Sequence, residues 1–552
     1  MSVWIAFKNM LSAARHDPIW AIVQIVIAPV RAGRYLLGVG IIAFVGFVLA
    51  YGLAMILGSL LGMDLKSWWP LVFFVPAILV VAMVIVRMLT APLLLHFGGD
   101  GSHSHGSARL ATRGEIAPLR IASTGLLIGR DGKTNKLLRY DGASHLLTMA
   151  PTRTGKGVGT IIPNLLTLDR SVICIDPKGE NARITRRARD RFGPVHILDP
   201  FGITGTPSSA FNPLAEMAPD SLDLAEEAAS LADALVFDQA AGGSDAFWNE
   251  EARALIAGLI LHIVSQEPFD RRTLATLRAY LTLAPEAFDA LLSAMQATTA
   301  ANGLVARAAN RQLSKADREA ASVLSTAQRH THFLDSPRMT AVLARSDVRF
   351  GDLKSRTATV YLVLPPDRLS TYARWLRLMV AQSLQDMARE SSGTTAKPPS
   401  AVLFLLDEFA ALGHLAPVER AMGLMAGYGV QLWPILQDIH QLRATYGQRA
   451  GTFLSNAGVL QIFGVNDHDS ARFVSDLLGQ TTVAFQTMGR ALDSEKSGIS
   501  WGEHLTGRPL MTPDEVRNLP APVELLFLAG QRPIVARKLA YYEDAEFRGM
   551  FD

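Results

Sequence analysis

His145-Leu-Leu-Thr-Met-Ala-Pro-Thr-Arg-Thr-Gly-Lys-Gly-Val158 is the stretch on which the fold of this chain turns. His145 to Ala150 is an apolar run that reads as a buried strand, and Val158 to Leu168 has the character of a helix. Between them lies a loop that carries Gly155, Lys156 and Gly157. Strand, glycine-bearing loop, lysine and helix, in that order, is the phosphate-loop arrangement. The chemistry needs that order. Backbone N–H groups of the loop and of the helix N-terminus face the phosphates, and Lys156 adds a point charge on the β/γ oxygens. Gly155 and Gly157 let the backbone approach closely. Pro151, Thr152, Arg153, Thr154, Gly155, Lys156, Gly157 and Val158 are therefore the candidate ATP-binding residues. The loop departs from the standard pattern twice. Ala150 stands where a first glycine is usual, and Gly157 replaces the Ser/Thr that normally contacts Mg²⁺. Thr154 and Thr160 lie near enough in sequence to be considered for that contact. Taken alone, the loop also reads as an ordinary glycine-rich turn from strand to helix.

A second region narrows the choice. Ala401-Val-Leu-Phe-Leu-Leu406 is a continuous apolar run, expected of a central parallel strand, and it ends in Asp407-Glu408. Carboxylates at the C-terminal edge of such a sheet lie where open α/β sheets bind ligands. Asp407 is then the candidate Mg²⁺ ligand and Glu408 the group that activates or orients the attacking water. Val430 to Leu436, a third apolar run, ends in Gln437-Asp438, which puts an amide where it can sense the γ-phosphate. Each feature alone is an ordinary strand end; three with matching chemistry are hard to assign to coincidence.

The remaining chain sets these runs in context. Its 552 residues exceed one ordinary core, so two or three domains are expected. Apolar residues make up 49%, and the formal net charge is only +3, from 53 Lys+Arg against 50 Asp+Glu. That excludes an acidic disordered chain, and an obligate basic nucleic-acid binder judged by net charge. The single cysteine, Cys174, sits in the apolar run Ser-Val-Ile-Cys-Ile-Asp and cannot form an internal disulfide, which fits a reducing compartment.

Leu36 to Met63 carries no charged side chain, and Leu71 to Leu95 is interrupted only by Arg87. Both are long enough to span a bilayer. A signal peptide would have a shorter apolar region nearer Met1, and a buried globular helix is the plainer alternative. Lys8, Arg15, Arg31 and Arg34 precede the first run; Arg109, Arg113 and Arg120 follow the second. The positive-inside rule puts both ends in the cytoplasm, joined outside by Asp64 to Pro70 with Trp68 and Trp69 at the interface. Gly98 to Ser107 reads as a flexible linker; no acidic or cysteine cluster supports metal binding by His103 and His105.

Val195 to Leu198 and Thr357 to Leu364 read as further strands. From about Asn212 to Arg345 the composition turns Ala/Leu-rich, and Asp245 to Val264 shows helical spacing with Phe247, Leu255, Leu259 and Ile263 near one face. Ser391 to Ser400 reads as a polar loop, and Glu524 to Ala540 as a hairpin.

The motifs together resemble the TraG-like type IV secretion coupling proteins, conjugal transfer ATPases. The resemblance is carried by Ala150 to Gly159, Ile162-Pro-Asn-Leu-Leu166, Asp176-Pro-Lys-Gly-Glu-Asn181, Tyr361-Leu-Val-Leu-Pro-Pro366 and Leu406-Asp-Glu-Phe-Ala-Ala-Leu-Gly413. Met425-Ala-Gly-Tyr-Gly429, Gln437-Asp438, Leu454-Ser-Asn-Ala457 and Met511-Thr-Pro-Asp-Glu515 extend it, so that it runs from about Gly106 to Phe547. It implies an α/β, RecA-like P-loop nucleotide-binding domain (108–211 and 346–552) with an inserted all-α domain (212–345). An anchor of two transmembrane helices (1–97) and a linker (98–107) would precede it. It further implies a hexamer at the inner membrane, ATP and Mg²⁺ as cofactors, and delivery of a relaxase with single-stranded DNA, or of effector proteins, to the membrane components of a secretion channel. Lys156 would be the phosphate-binding lysine, Asp407 and Glu408 the acidic pair, and Gln437 the sensor. Some relatives carry a trans-acting arginine just before the sensor strand. Gly423 to Gly429 has none, which leaves Arg420, Arg443 and Arg472 as candidates. Two other readings stand beside this one: a membrane-anchored adaptor with an inactive nucleotide site, and a double-stranded DNA pump of chromosome-segregation type, expected to carry a separate DNA-reading C-terminal domain.

Overall fold

The computed structural model describes residues 7, 10–11, 18–62, 71–97, 105–236, 246–389, 400–490 and 499–552. The Asp64–Pro70 connection, His103 and most of the polar loop before the acidic strand lie outside them. Among the described residues the strands are β1 (Leu126–Arg130), β2 (Leu137–Tyr140), β3 (His145–Met149), β4 (Val172–Asp176), β5 (Val195–Leu198), β6 (Thr359–Val363), β7 (Val402–Leu406), β8 (Val430–Leu436), β9 (Ala457–Ile462), β10 (Gln480–Arg490), β11 (Ile499–Pro509), β12 (Val523–Leu528) and β13 (Ile534–Arg537).

Seven of these form a parallel sheet in the order β5-β6-β4-β7-β8-β3-β9. Their near-continuous apolar character follows from burial on both faces: every residue of β3, β4, β6, β7 and β8 is buried. Beyond β9 the sheet continues antiparallel through β12, β13, β1 and β2. β1 meets β13 at Arg130↔Arg537, far apart in the chain. The Arg130 side chain is buried there and pairs with Asp544 at 3.2 Å and Glu546 at 3.0 Å. Parallel direction puts the C-terminal ends of seven strands on one edge. β3, β8 and β7 are adjacent there, so the phosphate loop, Gln437 and Asp407 come together.

Between β5 and β6 the chain forms helices Leu224–Leu235, Ala246–Gln266, Leu274–Leu281, Pro285–Gln296, Leu304–Leu313, Asp317–Thr331 and Pro337–Val342. The helix Ala246–Gln266 departs from the one-face expectation. Leu255, Leu259 and Ile263 are buried, but Phe247 is exposed and Glu251 is buried, paired with Arg311 at 2.6 Å and Lys315 at 2.7 Å. Helices Leu224–Leu235, Leu304–Leu313 and Asp317–Thr331 pack around it, so no single stripe carries its burial. Cys174 is fully buried in β4.

Residues 108–479 and 509–552 make up this body; residues 1–107 with 480–508 form a second unit. In that unit a helix runs over Pro18–Leu60, earlier than the apolar run predicts, because Arg31 and Arg34 are good helix formers and only the bilayer excludes them. A second helix spans Leu71–Phe97. Among the described residues the 23-residue segment Gly38–Leu60 is long and apolar enough to cross a membrane, with mean hydropathy 2.5 over an 18-residue stretch of it. The described apolar stretch of the second helix, Phe74–Arg87, is shorter. Phe74 packs edge-on against Phe47 with ring centroids 5.6 Å apart. β10 and β11 pair as a separate two-stranded sheet, and Ser107 bridges to Thr481.

Candidate nucleotide site

The loop after β3 is shaped by two residues with left-handed backbone, Arg153 (φ 65°) and Gly155 (φ 91°). They curl it so that Thr154 N–H bonds the Pro151 carbonyl at 3.2 Å and Gly159 N–H the Gly155 carbonyl at 2.7 Å. A wide π turn over Gly157–Ile161 then leads into the helix Ile162–Thr167. Such turns are rare and recur at functional sites. Asn164 anchors the helix to β1: it accepts from Leu127 N–H at 2.8 Å and donates to the Leu127 carbonyl at 2.9 Å.

Lys156 lies between the two carboxylates. Its Nζ is 2.8 Å from Asp407 Oδ1 and also bonds Glu408 Oε1. Gln437 Nε2 donates to the other Glu408 oxygen at 3.3 Å. Burial works against the Lys156 ammonium, but Asp407 and Glu408 prevail and hold its pKa above the ordinary lysine value. Glu408 is a non-glycine residue with φ 49°, and its own N–H bonds Asp407 Oδ1 at 2.9 Å. Strain of this kind costs about 1–3 kcal/mol and concentrates at functional sites. Of the loop residues, Pro151 is buried, while Thr152 and Arg153 are exposed.

The threonines considered for metal are otherwise engaged. Thr154 Oγ1 donates to the Pro151 carbonyl at 2.7 Å, and Thr160, fully buried, donates to Gln461 Oε1 at 3.3 Å. Gln461 belongs to a polar chain beneath the loop: Trp433 Nε1 donates to Thr148, Thr148 to Gln461, and Gln461 Nε2 to Glu524, each at 2.8 Å. Burial pushes the Glu524 carboxyl up to about 8, against the pull of that last bond.

Sequence reasoning missed two residues. Asp176 ends β4 beside β7, and burial, with a contribution from Asp407, raises it to about 6 although the N–H groups of Ala182, Asn181 and Lys178 pull it down. It is a polar end to an apolar strand, the signal that singled out Asp407 and Gln437, and could have been read the same way. Lys538, just after β13, donates to the Thr154 carbonyl at 3.3 Å, with Nζ 4.9 Å from the Phe463 ring centroid. No local pattern marks it. Of the arginines, Arg420 lines a cavity of about 680 Å³ with Arg253, Arg377 and His414, to which the phosphate loop contributes nothing. Arg443 lies against Phe473. Neither these nor Arg472 bonds a residue of the loop among the described residues.

A parallel sheet with a lysine-bearing loop after one strand and an acidic pair after the next strand but one defines a RecA-like P-loop nucleotide-binding fold. The chain belongs, more particularly, to the type IV secretory system conjugative DNA transfer family, whose sequence profile matches residues 111–550. It is 30% identical over 496 residues to the conjugal transfer protein TraG of Escherichia coli, covering 80% of this chain and 77% of that one. It is 29% identical over 503 residues to VirD4 of Agrobacterium fabrum, covering 87% and 72%. Its fold is similar to that of the plasmid coupling protein TrwB in complex with a non-hydrolysable ATP analogue, at TM-score 0.59 and 17% identity over 78% of this chain and 93% of TrwB.

Proposed function

We propose that this chain is the membrane-anchored coupling ATPase of a type IV secretion system, using ATP to deliver cargo to the export channel. The observation that carries the reading is Lys156 held against both Asp407 and Glu408 at the mouth of the phosphate loop. The ammonium offsets one of the two negative charges of the acidic pair, and arriving phosphates compete for it. Asp407, with waters, would hold Mg²⁺, which supplies positive charge to the β/γ oxygens and fits a loop that offers no hydroxyl at Gly157. Glu408 orients the attacking water, and Gln437, bonded to it, reports the γ-phosphate. The similar fold of TrwB, solved with an ATP analogue, supports ATP as the nucleotide.

The anchor is residues 1–97, with the helix Leu71–Phe97 as a second span and both ends cytoplasmic. Residues 98–107 are the linker, 108–211 and 346–552 the nucleotide-binding domain, and 212–345 the cargo-facing helical domain. A hexamer completes each site with an arginine from a neighbour, and the partners are a relaxase with single-stranded DNA, or effector proteins, and the inner-membrane channel components.

The test is ATP turnover by the full chain in lipid nanodiscs, with and without single-stranded DNA. Glu408→Gln should keep ATP binding and lose turnover by about 10²–10⁴-fold, the share of a positioned base. Wild-type protein that binds ATP without turning it over would instead identify an adaptor.

A further inference from the structure

The same sheet edge carries a second cluster, at β5 and β6, that the nucleotide site does not use. Phe201 follows β5 by three residues, and Tyr372 lies in the helix Pro366–Arg389 that follows β6. Their ring centroids are 5.3 Å apart. Arg338, from the last helix of the inserted segment, and Arg368 each hold a guanidinium 5.8 Å from the Phe201 centroid, within cation–π range. Both arginines are exposed. On the adjoining turn Arg374 is half-buried with its Nε buried and without a hydrogen-bond partner, and it faces the like charge of Arg329. The acids nearby are engaged: Asp367 pairs with Arg368 at 3.1 Å, and Asp335 with Arg278 at 2.6 Å. Among the described residues Arg329, Arg338 and Arg374 have no carboxylate partner.

Like charges with few counter-charges, as at Arg374 and Arg329, are unfavourable for the protein alone. Here they are also organised. An aromatic face takes one side of a guanidinium and leaves its N–H edges, which match phosphate oxygens in pairs, to other partners; Arg368 shares one with Asp367. We propose that Phe201, Tyr372, Arg338 and Arg368 form a docking surface for the phosphate backbone of single-stranded nucleic acid. Planar cations stacked on rings favour nucleic acid over an acidic peptide, because their outer faces can carry a base while their edges hold phosphates. Only β4 separates β6 from β7, so a bound strand would lie about two strand spacings, roughly 10 Å, from the acidic pair. The proposal rests on the reading of the chain as a cargo transporter, and it names the cargo this body touches.

The experiment is fluorescence anisotropy of a labelled oligothymidylate on the full chain in zwitterionic nanodiscs, titrated with salt, with ATP turnover measured in parallel. Arg338→Gln/Arg368→Gln should weaken binding at least 10-fold and flatten the log–log salt slope by about 0.7 for each phosphate no longer neutralised, leaving basal turnover unchanged. Arg338→Lys/Arg368→Lys keeps the charges without the planar stacked faces, so it should hold the salt slope while losing part of the affinity. Unchanged affinity in the glutamine pair would overturn the proposal. So would polyglutamate that displaces the oligonucleotide with equal affinity, since the surface would then suit an acidic protein. A wild-type chain that hydrolyses ATP but does not bind the oligonucleotide at low salt overturns this inference and leaves the ATPase reading standing. Arginine-dependent binding without turnover does the reverse.

Discussion

Two places on one sheet edge treat charge in opposite ways. Where β3, β8 and β7 end, Lys156 answers both Asp407 and Glu408, and the cluster closes on itself. Where β5 and β6 end, arginines stand beside rings and beside each other, with few acids to answer them. The first arrangement is comfortable empty and must be opened by its ligand. The second is complete only when an anion arrives. A site that must change state in a cycle gains from the first design; a surface that must hold and release a polymer without rearranging gains from the second.

The sharpest way to break this contrast is to remove the internal answer. Lys156→Ala should abolish ATP binding and leave two carboxylates side by side, at a cost of about 3–5 kcal/mol, as expected when one member of a buried pair is lost. Urea denaturation of nucleotide-free protein measures it. Adding Asp407→Asn should recover part of the loss. Arg368→Ala should change stability by no more than about 0.5 kcal/mol; equal losses at both places would collapse the distinction.

A buried acid offers a third behaviour, in which charge is avoided. Glu524 is raised in the folded protein to about 8, so folding favours its protonated form. Its contribution is complete below the ordinary glutamate pKa and is lost as pH rises through about 8. Stability should fall over that window by about 2–4 kcal/mol, and Glu524→Gln should flatten the profile in urea midpoints taken from pH 5 to 9.

The smaller effects concern the loop. Lys538→Met should raise the ATP dissociation constant about 3–10-fold, one hydrogen bond to the loop carbonyl being worth roughly 1 kcal/mol, with turnover at saturating ATP nearly kept. The two glycines after Lys156 should separate most finely. A side chain at Gly157 meets nothing within 4 Å, whereas one at Gly159 would come within 2.8 Å of the Leu539 carbonyl. Gly157→Ser should therefore leave Mg²⁺–ATP affinity unchanged or improve it within about threefold, as restoring one metal ligand allows, while Gly159→Ala should weaken it. Calorimetric titration of both variants decides.

The sequence made the strands legible because a strand buried on both faces must be apolar throughout, and polar residues at its end then stand out. Asp407, Glu408 and Gln437 were found that way and Lys156 by its glycine-bearing loop; Lys156 bonds both carboxylates, and Gln437 bonds Glu408. The strand order was not legible. Nothing in β9 says that it flanks β3, nor does β1 announce β13, because pairing depends on which edges remain open once the helices have packed. Lys538 and the Phe201 cluster were missed for a related reason: each joins segments whose proximity exists only in the finished sheet. Phe247 misled because helical spacing identifies a face but not whether a neighbour covers its first turn.

The pairing of β1 with β13 also bears on how this protein is made. β1 leaves the ribosome about 400 residues ahead of its partner, so at roughly 5–20 residues per second it waits on the order of 20–80 s. During that interval its early partner is β2, and an isolated two-stranded hairpin is marginal in water. One edge of β1 and the outer edge of β9 stay open together, two unpaired rows of the kind that recruits foreign strands. The β12–β13 hairpin closes both at once. The half-synthesised chain, rather than the finished one, is the form most exposed to mispairing, and a chaperone that shields strand edges would matter most before residue 523 has emerged.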